Sequence, residues 1–144
     1  MNWQKEAIDD LNKYLPRKNS IISMKEKIKE LQAREESLKS ASDSTPVQGG
    51  ASKREDMILN CIVECDRLKD NITAISRWLY LVEKGLATLT EDERTVLDKF
   101  YISRPTRHVD RLCEELHSEK STIYRIKDIA LKKFTISMYG ILEL

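Results

Sequence analysis

Between Lys120 and Lys127 the chain sets six side chains that can donate or accept hydrogen bonds: Lys120, Ser121, Thr122, Tyr124, Arg125 and Lys127. Only Ile123 and Ile126 interrupt them, and at that spacing the two isoleucines share one face of a helix. The polar groups are then left to face outward. Guanidinium, hydroxyl and amine groups so placed can read base edges in a nucleic-acid groove, and their neighbours can hold phosphates. The expectation is that Lys120, Ser121, Tyr124 and Arg125 meet base edges, beside Glu119 and Asp128, while Thr122, Lys127 and Arg107 hold the backbone. Other chemistries find little support. The sequence holds no Ser/His/Asp set, no Gly-rich phosphate loop and no metal-ligand motif, so neither catalysis nor a cofactor nor a metal is expected. Cys61 and Cys65 stand one helical turn apart on an apolar seam, with His108 and His117 elsewhere, and read as small packing residues, as does Cys113. Glu91, Asp92 and Glu93 suit a helix N-terminus.

Such a reading helix needs a partner crossing it closely. In a helix-turn-helix the first helix carries a small residue, the turn lies four residues later, and apolar anchors follow at ten and thirteen. Here those positions are Cys113, His117, Ile123 and Ile126. Val109, Leu112 and Leu116 complete the inner face of the first helix; Ile129, Ala130 and Phe134 extend that of the second. Ahead of the pair, Thr90 and Glu93 form a capping-box pattern that opens a helix with Val96, Leu97, Phe100 and Tyr101 on its buried side. Arg104 before Pro105 ends it, Thr106 is placed to cap the next helix, and Ser118 to cap the last one position early. From Lys99 to Lys133 there are nine basic and five acidic residues, a mild local excess.

Upstream, Trp3, Ala7, Leu11 and Tyr14 or Leu15 recur at helical spacing until Pro16, which is expected to stop the segment. Ile21, Met24, Ile28, Leu31 and Leu38 mark a second helix, broken in its heptads only by Glu35. Ser40 to Ser52 is rich in small residues and reads as a linker. A third helix is expected from near Arg54, with an unbroken three–four seam from Ile58 to Leu86, and Gly85 loosening its end. Leu59, Ile62, Val63, Trp78 and Leu81 widen that stripe, which implies more than one packing partner. The expected fold is all-α: a helical hairpin or coiled-coil-like bundle over 1–86 with a flexible loop at 40–53, then a helix-turn-helix domain over 87–144. Its apolar tail (Ile136, Met138, Tyr139, Ile141, Leu142, Leu144) is expected to pack on the protein. Of 144 residues 34% are charged, the formal net charge is +1 and there are three cysteines. That balance points to a cytoplasmic protein with reduced thiols, no membrane segment and no global field for nucleic acid.

The stretch LTEDERTVLDKFY followed by HVDRLCEELHSEKSTIYRIKDIALKKF resembles the DNA-binding C-terminal domain of sigma factors. With the helical N-terminal half and the PVQGG loop before a long helix, the whole chain resembles phage late-gene transcriptional regulators of the ArpU and RinA type. That family commonly has Gly, an apolar residue and Ser at the turn, where this chain has His117, Ser118 and Glu119. The resemblance implies a sequence-specific activator of phage or prophage late, packaging or lysis genes. Its partners would be double-stranded promoter DNA and host RNA polymerase. Separately, the seam from Ile58 to Leu86 exceeds what the second helix can cover, so the first helix (Trp3, Leu11), the C-terminal domain or a second copy of the chain is expected to cover the rest. Two other readings fit the same helices: a packaging recognition subunit like a phage small terminase, and a helical interaction protein without DNA affinity.

Overall fold

A computed structural model describes residues 1–41 and 50–140. The chain is all-α, with no strand among the described residues. Helix α1 runs Trp3–Ser40, α2 Gly50–Ala87, α3 Glu91–Leu97, α4 His108–Leu116 and α5 Lys120–Tyr139, and a π-helical turn, Asp98–Ile102, continues α3. None of these helices is long and apolar enough to cross a membrane.

Pro16 does not stop the first segment, and the two expected N-terminal helices are one. A proline inside a helix removes one ladder donor and crowds one carbonyl, a cost of about 3 kcal/mol. Here its ring is exposed, and the turns on either side are fixed by packing: Ala7 and Leu11 are fully buried before it, and Leu31 is buried after it. Local propensity gives way to tertiary contact. Residues 50–53, expected to belong to the linker, are the first turn of α2; the rest of the expected loop, 42–49, lies outside the described residues.

The chain forms two compact units, Lys18–Ser76 and Met1–Arg17 with Arg77–Leu144. The first is the expected antiparallel hairpin. Leu31, Cys61, Cys65 and Leu68 form its core, with Met24, Ile28 and Leu38 packed on it. The Cys65 thiol lies 3.9 Å from the Ile28 carbonyl oxygen across the hairpin, and burial pushes its pKa up. Glu35, the break in the heptads, is paired with Lys39 at 2.8 Å. Leu59, Ile62 and Val63, expected to find a further partner helix, are exposed.

The second unit differs from the expected boundary at 86/87. Its core joins Ala7 and Leu11 of α1 and Val82 and Leu86 of α2 to Leu89, Leu97, Ala130, Leu131 and Phe134. Gly85, expected to loosen α2, is instead buried within it: an added Cβ would stand 3.0 Å from the Phe134 ring. The glycine is a place of close approach. Of the apolar tail, Met138 and Tyr139 pack on this core, Trp3 lies 5.0 Å from Tyr139 ring to ring, and the Tyr139 hydroxyl donates to the Asp10 carboxylate. Gly140 caps α5 in the left-handed region; Ile141, Leu142 and Leu144 lie outside the described residues.

The capping box at Thr90 is present in full, with each partner's amide donating to the other's side chain. It is tied to α5 by the Lys133 ammonium, 3.0 Å from Oε1 and 2.9 Å from Oε2 of buried Glu93. Burial pushes the Glu93 carboxyl up, but hydrogen bonds from the Thr90 amide and from Lys133 outweigh it and hold the group below its ordinary value of 4.5. A depressed carboxylate stabilises the fold above its unfolded pKa, and the contribution is lost as pH falls through the folded one. Lys133→Met should therefore cost about 1 kcal/mol at neutral pH, the half-exposed ammonium being screened. The deficit relative to wild type should vanish once pH falls below the folded pKa of Glu93. Urea titrations at successive pH values from 7 downward check this; a deficit that does not shrink as pH falls would place the effect in lost packing.

Candidate nucleic-acid interface

The helix-turn-helix takes the expected form. Leu112 and Ile123 are fully buried with Val96, and Cys113, Leu116, Ile126 and Phe100 pack around them. His117 adopts φ 50° and ψ 47°, the left-handed conformation the tight turn demands, and its amide donates to the Cys113 carbonyl. The Ser118 amide donates to the same oxygen at 3.1 Å. Neither expected hydroxyl cap forms. Arg107 is the N-cap of α4 and is left-handed, with φ 56°, and the Ser118 hydroxyl donates to the Leu116 carbonyl while Glu119 caps α5 without a side-chain bond. Both helix starts are set by packing and turn geometry instead.

Helix α5 packs against α3 and α4. Its buried residues, Ile123, Ala130 and Phe134, fix which side faces away. On that outer side lie Ser121 and Arg125, both exposed, with half-buried Thr122 beside them. Among the described residues Arg125 has no ion-pair partner. Ile129, expected to face inward, continues the outer stripe and is 45% exposed. At 100° per residue it follows Arg125 by one turn.

The other four predicted residues fall into two separate groups. Arg107 and Lys120 both converge on Asp110 of α4. Tyr124 and Lys127 converge on Phe100, in the π-helical turn, with Phe100 edge-on to Tyr124 at 5.8 Å and to His108 at 4.6 Å between ring centres. The Lys127 ammonium lies 5.8 Å from the centres of both the Phe100 and Tyr124 rings and 2.9 Å from the Asp128 carboxylate. Burial lowers its pKa, but Asp128 and the tyrosines Tyr101 and Tyr124 outweigh that and raise it, so the group stays charged. Lys127 thus serves as a brace for Tyr124, and its cation is engaged within the fold. Phe100 packs on the buried side of its helix, as expected, while the π turn that carries it is not announced by helical periodicity in the sequence. Asp110 was legible in principle: an acid three residues after Arg107 at a helix start is an i,i+3 pair.

Among the described residues no three His, Cys, Asp or Glu side chains gather as metal ligands. The chain matches no curated protein and no solved structure. Residues 36–135, which include α2, the π turn and most of α5, match a family described as a protein of unknown function, DUF1492, and the chain belongs to that family.

Proposed function

We propose that the protein is a sequence-specific DNA-binding regulator of phage or prophage late genes, working by binding in the bacterial cytoplasm beside host RNA polymerase. In this reading the first two turns of α5 enter the major groove, with Arg125 forking onto a guanine and Ser121 beside it. The observation that carries the reading is the exposed Arg125 guanidinium. Among the described residues it has no ion-pair partner, and it lies one residue from Tyr124, on the face of α5 opposite buried Ile123. The left-handed His117 turn and the packed anchors Ile123 and Ile126 support it.

Binding to a selected and a scrambled duplex tests the reading. Arg125→Ala should lose about 1–3 kcal/mol on the selected site and relax preference at one or two base pairs, with little change on the scrambled one. Stability should be unaffected, since the side chain is exposed. Equal losses on both duplexes would count against sequence reading. They would favour a helical interaction protein, for which exposed Leu59, Ile62 and Val63 offer an apolar face.

A further inference from the structure

The proposed reading surface contains a carboxylate that base recognition does not use. In the first turn of α4, Asp110 Oδ2 lies 3.3 Å from both Nε and Nη2 of Arg107. Its other oxygen, Oδ1, lies 3.8 Å from the Lys120 Nζ. One side chain therefore gathers cations from two elements, the residue that precedes α4 and the residue that opens α5. The cluster borders a surface pocket of about 240 Å³ lined by Arg107, Asp110, Arg111 and Glu114.

These pairs do little for the fold. Arg107 and Lys120 are 77% and 71% exposed and Asp110 46%, and ion pairs so exposed contribute little stability. The Lys120 separation is also longer than a charge-assisted hydrogen bond. Arg107 nevertheless holds a left-handed backbone, a conformation that disfavours any residue with a Cβ. What the arrangement does is keep two cations together around one anion at the edge of the helix-turn-helix.

From this we infer that Arg107 and Lys120 form a clamp for a DNA backbone phosphate, and that in the unbound protein Asp110 stands in for that phosphate. The inference rests on the DNA-binding reading above. A phosphodiester, like the carboxylate, carries one negative charge on oxygens that two cations can share. When DNA arrives, its phosphate takes over the cations and the Asp110 carboxylate is left without them beside a like charge. Asp110 thereby acts as a brake on backbone binding. It lowers affinity for every sequence alike and leaves discrimination to residues such as Ser121 and Arg125.

The test uses the full chain and compares Asp110→Asn with Glu114→Gln, which removes an exposed charge on α4 that, among the described residues, pairs with neither cation. Asp110→Asn should tighten binding to selected and scrambled duplexes alike, by about ten-fold, and steepen the dependence of log K on log salt by about one unit. Glu114→Gln should change both far less. In an Arg107→Gln, Lys120→Gln background the gain from Asp110→Asn should disappear. Equal gains for the two acid substitutions, or a gain that survives in that background, would reduce the effect to net charge and overturn the clamp. Competition by inorganic phosphate beyond that of chloride at equal ionic strength would assign the clamp to free phosphate instead. If wild type and Asp110→Asn both fail to bind any duplex at low salt, the DNA reading falls and the clamp with it. A variant that binds where wild type does not would support both.

Discussion

Leu11→Ala is expected to destabilise the unit that holds α5 by about 2–5 kcal/mol, the range for emptying a fully buried leucine site. Leu11 has no exposed surface and lies in the same core as Val82, Leu97 and Phe134. By sequence alone the substitution sits in a different domain from the helix-turn-helix, and such a change would leave an independent C-terminal domain untouched. Urea unfolding followed by the fluorescence of Trp3 and Trp78 measures the loss, since Trp3 stacks near Tyr139 and Trp78 packs on the same core. The matching fragment, beginning at Thr88, should show no cooperative transition because it lacks Ala7, Leu11, Val82 and Leu86. A fragment that melts cooperatively with wild-type stability would show that the core is complete without α1 and α2.

The second large effect concerns the contact between Gly85 and Phe134. Phe134→Ala should cost about 3–5 kcal/mol, because the ring is fully buried and is the largest side chain in its core. The glycine opposite it carries a sharper signature. Alanine is favoured over glycine in a helix by about 1 kcal/mol, but at position 85 an added methyl would press on the ring, with 3.0 Å to one edge carbon and 3.1 Å to the next. Gly85→Ala should therefore gain less than that amount, or lose, in the wild-type chain. It should gain more in a Phe134→Leu background, where the flat ring is gone. A double-mutant cycle from thermal or urea melts measures the coupling. Strict additivity would mean that Gly85 is there for its backbone and not for the ring.

The legible parts of this fold were those fixed by local rules. The capping box follows from two residues three apart, and the helix-turn-helix from a short spacing code in which Cys113, His117, Ile123 and Ile126 all fall where they were expected. The hairpin followed from a seam that stays apolar for several turns. The illegible parts depend on partners distant in the chain. Trp3, Ala7 and Leu11 announce an apolar face but not what covers it, and Pro16 announces a stop that packing overrides. Gly85 looks like a weak point until the Phe134 ring is placed against it. At the candidate interface, residue types alone put seven side chains in one set. Geometry sorts them into three: Ser121 and Arg125 on the outer face with half-buried Thr122 beside them, Arg107 and Lys120 around Asp110, and Tyr124 and Lys127 against Phe100. The last group meets at the π turn, whose extra residue leaves no mark on the helical period.

The bond between Asp10 and Tyr139 joins residues 129 positions apart, and this has a consequence for synthesis on the ribosome. At roughly 5–20 residues per second, the interval between making the two ends of that contact is about 6–26 s. Throughout it the Ala7–Leu11 face has none of its α5 partners, and only the hairpin of residues 18–76 has all its own core residues early. The nascent chain therefore matures from the middle outward, and its first residues are among the last to be buried. A short incubation of stalled nascent chains with protease should cut near the N-terminus until the whole of α5 has emerged, and spare it afterwards.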